Sequence, residues 1–164
     1  MEREENLMLR ILAALVTACA LLTNLPTPAA DFSVTKTPML AMFHNADFLA
    51  LGVPVFDIRE RFGMTDMLVR NTEIGRALAE QLGEHPVVLL RGHGDVTVGP
   101  SLPLAVFRAI YTEVDARMQI QAVTLGGPIE ALSPEEGVAA DKVNVQVSPR
   151  AWDLWKRRVT ELHP

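Results

Sequence analysis

The stretch VVLLRGHGDVTVG, from Val87 to Gly99, constrains the fold more than any other part of the chain. Four consecutive apolar residues describe a strand buried on both faces, because a half-buried strand would alternate polar and apolar positions. Gly92, His93, Gly94 and Asp95 supply turn chemistry, and the alternating Val-Thr-Val that follows reads as a returning antiparallel strand. A histidine between two glycines has no neighbouring side chains to shield it, so a ligand or ion can approach its imidazole closely. The same residues also suit a tight hairpin with a solvent-facing histidine, and spacing alone leaves both readings open.

Helix signals flank this hairpin. Asn71 is placed to N-cap a helix ending near Leu82, with Ile74, Leu78 and Leu82 on one stripe and Gly83 as the stop. Ser101 caps a long helix that ends at Gly126-Gly127. Ser133, Pro134 and Glu136 form a capping box, and Ser148-Pro149 repeats the device for a last helix carrying Trp152 and Trp155. VPVFDI, Val53 to Ile58, suits a short buried strand. Strands alternating with helices predict an α/β domain. With 164 residues, 49% of them hydrophobic, the chain is long enough for one domain with a substantial core.

Charge and cysteine usage exclude several classes. A net charge of −5 argues against nucleic acid as a partner, since phosphate binding needs a concentrated basic face. The single cysteine, Cys19, rules out an internal disulfide framework and a Cys-based zinc site.

The N-terminal 30 residues form a segment of different character from residues 31–164. ILAALVTACALLTNL, Ile11 to Leu25, follows Arg10 and leads into PTPAAD, the outline of a signal peptide with a cut after Ala29 or Ala30. VTAC also resembles a lipobox ending at Cys19. MEREENLMLR, with three acids and two bases, is atypical of a signal, and a buried element of the domain is the other reading. The run is shorter than the ~20 residues of a membrane span, so no stable span is expected. A signal peptide implies a periplasmic or secreted protein, and a domain segment implies a cytoplasmic one.

Further candidate residues lie outside the hairpin. In the long helix Val106, Ile110, Glu113, Arg117 and Ile120 fall on one stripe, which puts Glu113 at or within an apolar face. An i,i+4 pair with Arg117 accounts for it equally well. His44, within AMFHNADFLALG, is either a ligand or a hydrogen-bonded structural residue. Arg91 can orient an anion or pair with an acid, and Tyr111 can serve a site or cover the helix surface.

MFHNADFLALGVPVFDIRE, DMLVRNTEIGRALAEQLG, VVLLRGHGDVTVGPSLPLAVFRAIYTEVDARMQIQA and GPIEALSPEE resemble, in order, the C-terminal two-thirds of the class II aldolase/adducin family. The likeness covers roughly Thr27 to Trp155, and RGHG followed by a V-G-x-S-L helix is its most specific part. It implies an α/β/α three-layer sandwich around a mostly antiparallel sheet, incomplete at its N-terminus, assembled as a homo-tetramer with sites between subunits. It further implies a divalent metal, zinc or manganese, held partly by His93; the family pattern does not extend to His44 and Glu113, which are the candidate substitute ligands in this chain, with Glu113 and Tyr111 its candidate catalytic groups. The implied activity is a metal-dependent lyase that cleaves an aldol or decarboxylates a small hydroxy-carbonyl substrate.

The sequence departs from the family upstream. Thr27-Pro28-Ala29 aligns with the residues after the family's His-x-His, but Asn24 and Pro26 stand at the two ligand positions. Asparagine is a poor zinc ligand and proline has no side-chain donor. Two further expectations follow: a catalytically inactive, adducin-like interaction module, or the product of a truncated gene.

Overall fold

The structure is a computed structural model, and it describes residues 28–162. The apolar run Ile11–Leu25, with Cys19, and the positions of Asn24 and Pro26 lie outside the described residues.

Three strands form the sheet: β1 (Val55–Phe56), β2 (Val87–Leu90) and β3 (Gly94–Thr97), in that spatial order. β1 runs parallel to β2, with Phe56 opposite Leu90, and β3 runs antiparallel to β2, with Leu90 opposite Gly94. The VPVFDI segment therefore contributes two strand residues, fewer than its composition suggests.

Helices cover both faces: α1 (Pro28–Ser33), α2 (Arg59–Phe62), α3 (Thr72–Leu82), α4 (Leu102–Leu125) and α5 (Pro134–Leu162), with a 3-10 helix at His44–Leu49. The pleat of β2 divides the core. Val88 joins Phe56, Ile74, Leu78, Leu82 and Val98 in one cluster under α3. Val87 and Leu89 join Ala29, Phe32, Phe48, Leu49 and Ala116 in the other, beneath α1, α4 and the 3-10 helix. The result is an α/β fold with helices on either side of a central sheet.

The caps follow the sequence closely. Asn71 Oδ1 accepts from the Ile74 N–H at 2.9 Å, and Ser101 Oγ from the Leu104 N–H at 3.4 Å. The capping box at Ser133 is reciprocal: Ser133 Oγ accepts from the Glu136 N–H, and Glu136 Oε2 from the Ser133 N–H.

Two helix expectations are corrected. Ser148-Pro149 does not begin a new helix; α5 runs through it for 29 residues. Pro149 has no N–H to offer the carbonyl of Val145 four residues back, and the Ser148 hydroxyl donates to that oxygen at 3.1 Å instead. The buried stripe of α4 is also rotated from the one its apolar periodicity suggests. Leu104, Phe107, Thr112, Asp115, Ala116 and Gln119 are buried, whereas Arg117 and Ile120 are exposed.

That rotation has a polar cause. The chain at 38–42 carries no strand pairing, and side chains of α4 take a neighbouring strand's place. Gln119 Oε1 accepts from the Leu40 N–H at 2.9 Å, and Gln119 Nε2 donates to the Pro38 carbonyl at 2.9 Å. Asp115 Oδ1 accepts from the Met42 N–H at 2.8 Å, while Leu132 donates its N–H to the Ala41 carbonyl at 2.9 Å. Across the 3-10 helix, α5 approaches closely at Gly137, where an added Cβ would come within 2.4 Å of Ala50 Cβ and 2.8 Å of the Asp47 carbonyl oxygen.

Candidate active site at the strand ends

The carboxyl ends of a parallel strand pair are where open α/β sheets bind ligands. β1 and β2 end together, and the Arg91 N–H donates to the Phe56 carbonyl at 3.1 Å, so Asp57 and Arg91 leave the sheet side by side. The chain then turns: the His93 N–H donates to the Leu90 carbonyl at 2.9 Å, with Gly92 at φ +77° in the region where glycine is favoured. His93 is exposed at the tip of this turn. The Gly92 N–H is tied to Ser33 Oγ of α1 at 3.2 Å.

Charged side chains converge beside the turn. Arg91 Nε lies 2.9 Å from Asp57 Oδ1, and Arg59 Nη2 donates to Asp57 Oδ2 at 2.6 Å. Hydrogen bonding from Arg59, with a further contribution from Arg91, holds the Asp57 carboxyl well below the usual carboxylate range despite its partial desolvation. Arg91 Nη2 reaches Met67 Sδ at 3.5 Å, and Met67 is held at φ +64°, a rare conformation for a side chain-bearing residue. On β3, burial raises the pKa of Asp95, opposed by the hydroxyl of Thr97, which donates to it at 2.6 Å.

The expected site residues divide between two neighbourhoods. Helix α1 bridges His93 and Glu113: Ser33 holds the turn, and the Ala29 N–H donates to Glu113 Oε2 at 3.4 Å. Ser33 is four positions after Ala29, about 6 Å along the helix. His44 begins the 3-10 helix with an exposed side chain, and its carbonyl accepts from Asn144 Nδ2 of α5 at 2.7 Å. Tyr111 belongs to an aromatic cluster, with ring centroids 4.5 Å from Phe107, 6.0 Å from Phe43 and 6.4 Å from Trp155. Tyr111 and Glu113 are two positions apart on α4, hence about 200° around its axis, and project from nearly opposite faces.

Two further buried acids are also perturbed. Desolvation lifts Asp115 to about 7, against the pull of its bond from Met42. Asp47 is raised by burial, although Asn144 donates to its Oδ1 at 2.7 Å.

Among the described residues no three His, Cys, Asp or Glu side chains gather around one point that could hold a metal. The donors at the strand ends are the His93 imidazole and the Asp57 carboxylate, the latter already paired with two guanidinium groups, so these residues do not by themselves fit a divalent metal, and no chemical step has a metal-centred basis in them. Asp57 and Arg59, which dominate the local charge, were not among the residues singled out from sequence. Their signal was an acid placed immediately after an apolar strand with an arginine two positions on; recognising it requires knowing that β1 lies beside β2.

Comparison with known proteins agrees with this architecture. The family model for the Class II Aldolase and Adducin N-terminal domain matches residues 13–120, beginning within the apolar N-terminal run. The chain belongs to the class II aldolase and adducin family. It is 34% identical over 149 residues to the decarboxylase tropJ of Talaromyces stipitatus, an alignment covering 78% of this chain and 56% of that protein. It is 38% identical over 115 residues to the 3,4-dihydroxyphthalate decarboxylase of a Terrabacter species, covering 68% of this chain and 45% of the relative. The chain thus spans about half the length of the curated relatives it matches. Among solved structures, an aldolase II superfamily protein from Pseudomonas syringae superposes with a TM-score of 0.59 at 22% identity, over 85% of this chain and 55% of that one. The L-fuculose 1-phosphate aldolase of Glaciozyma antarctica gives a TM-score of 0.54 at 19% identity, over 75% of this chain and 46% of that one. At those identities the superpositions speak for the shared fold. Among the described residues, no helix is long and apolar enough to cross a membrane.

Proposed function

We propose that this protein is a carbon–carbon lyase that removes a carboxyl group from a small hydroxylated aromatic acid. The observation that carries the reading is the identity of 34% and 38% to two decarboxylases. The cationic cluster of Arg59 and Arg91 beside the exposed His93 is consistent with it.

The reaction class sets what the site must do. A proton adds at the ring carbon bearing the carboxylate, the bond to the carboxyl carbon breaks, and its electron pair restores the aromatic ring. One proton is consumed and one CO2 leaves. The protein's contribution is to hold the carboxylate in a fixed orientation and to exclude water from the ring face. The family resemblance extends the proposal to a zinc or manganese ion with His93 as a ligand and to a homo-oligomer; His44 as a second ligand, and Glu113 and Tyr111 as catalytic groups, are proposed outside the family pattern.

The direct test is CO2 release from 3,4-dihydroxyphthalate by the full chain, with and without added zinc or manganese, beside His93→Ala. The expected result is release that falls at least about a hundredfold in the variant, and stimulation by added metal would mean that donors beyond those at the strand ends complete a metal site. No release under either condition would reject the reading. Asn24 and Pro26 at the family's ligand positions favour a second reading, a non-catalytic interaction module. Stable self-association of a metal-free, inactive chain supports that one.

A further inference from the structure

We infer that the Arg91–Asp57–Arg59 cluster at the carboxyl ends of β1 and β2 is a carboxylate-recognition site, in which Asp57 positions the Arg91 guanidinium to bind the acid group of the ligand. The inference rests on the decarboxylase reading for the class of ligand. Its structural basis is independent of that reading.

Two guanidinium groups share one carboxylate, so these three side chains carry one more positive than negative charge in a protein whose overall charge is −5. Arg59 takes Asp57 through both Nε and Nη2, at 3.1 and 2.6 Å from Oδ1 and Oδ2. Arg91 approaches the same carboxylate with its Nε, 2.9 Å from Oδ1. That leaves the Nη side of Arg91, whose partner among the described residues is the thioether of Met67. Sulfur is a weak acceptor, so this donor edge has capacity for a carboxylate, which guanidinium binds through two parallel hydrogen bonds.

The surroundings favour an organic acid over a bare anion. The Arg91 side chain is 26% exposed and Arg59 48%, so the cluster is accessible and Arg91 the more desolvated member. The flexible, polarizable side chain of Met67, in contact with Arg91, suits the edge of an aromatic ring. Leu68 and Val69, which follow it, are exposed apolar residues of the same loop. Arg91 is two residues from His93 across a turn closed by a backbone hydrogen bond, so the anion site and the imidazole occupy one end of the sheet.

The test is binding of phthalate to the full chain, measured by calorimetry beside its uncharged dimethyl ester and inorganic phosphate. The expected result is saturable phthalate binding that weakens about tenfold or more in Arg91→Gln and recovers partly in Arg91→Lys. Affinity for the dimethyl ester is expected to be low and unchanged by either substitution. In the wild-type chain, the Arg91 side-chain N–H resonance is expected to shift as phthalate is added, a readout that needs no variant to fold. Phthalate affinity unchanged in a folded Arg91→Gln, an unmoved Arg91 resonance, absence of saturable binding, or tighter binding of phosphate than of phthalate would each overturn the inference. Phthalate binding at Arg91 without CO2 release from 3,4-dihydroxyphthalate would uphold this site and reject the decarboxylase reading alone.

Discussion

Beneath α3 the sheet is closed by Phe56, Ile74, Ala77, Leu78, Leu82, Val88 and Val98, side chains whose only requirement is to fill space. On the opposite face the buried residues of α4 include Thr112, Asp115 and Gln119, and Asp47 and Asn144 lie buried where the 3-10 helix meets α5. The difference lies in what each face must satisfy. The α3 side packs against strands whose backbone groups are already paired. The α4 side packs against an extended chain whose peptide groups at 38–42 would otherwise be stranded, and helix side chains complete their hydrogen bonds. One face is held by area, the other by pairing.

Substitutions on the two faces should therefore fail in different ways. The largest effect is expected at Asp115, and it depends on pH. Its pKa is about 7 in the folded protein against 3.8 for the free group, so the folded state holds more protons than the unfolded state between those values. Stability contributed at this position is greatest below pH 4 and declines as pH rises toward 7. Asp115→Asn keeps an oxygen for the Met42 N–H and removes the titration. Relative to wild type, the variant should gain up to about 4 kcal/mol between pH 4 and pH 8, read from urea melts at each pH. A constant difference across that range would mean that Asp115 is not held protonated.

Leu78→Ala on the other face should destabilise by about 3 kcal/mol, with no dependence on pH, because it opens a cavity in apolar surroundings. A pH-dependent loss would break the contrast between the faces. The smallest of the three is Gln119→Ala, expected to cost about 2 kcal/mol through the unpaired Leu40 N–H and Pro38 carbonyl. Amide hydrogen exchange at Leu40 sharpens that test, since protection there should fall more than at Val88 in β2. Equal loss at both residues would assign Gln119 a general packing role.

Much of the scaffold was legible before any coordinates. The unbroken VVLL and the alternating VTV gave the antiparallel hairpin, and Asn71, Ser101 and Ser133 marked three helix starts through short-range bonds to backbone three residues away. Local chemistry of this kind is complete within one turn of helix. The same reasoning failed at Pro149, where a serine hydroxyl substitutes for the missing amide and the helix continues. It also failed along α4, where apolar periodicity selected Val106, Ile110 and Ile120 while polar side chains went inside.

The candidate site was legible in part. His93 was marked by its flanking glycines, and the structure sets it at a turn beyond paired strand ends. Glu113 is joined to that turn through α1, whereas Tyr111 sits in the aromatic cluster with Phe107 and Trp155, and His44 begins the 3-10 helix. Asp57 and Arg59 had no motif to announce them.

By itself the sequence determined the hairpin, the helix caps, the α/β class and the family likeness, because each depends on hydrophobic period or on groups a few residues apart. The tertiary structure alone decided that Asp57 stands between Arg59 and Arg91, and that Asp115 and Gln119 face inward to pair with the chain at 38–42. Apart from the local Asp57–Arg59 pair, those pairings join residues 34 to 81 positions apart. A charge or an amide in the sequence shows what it can bond, and only the packing of distant segments shows which partner it meets.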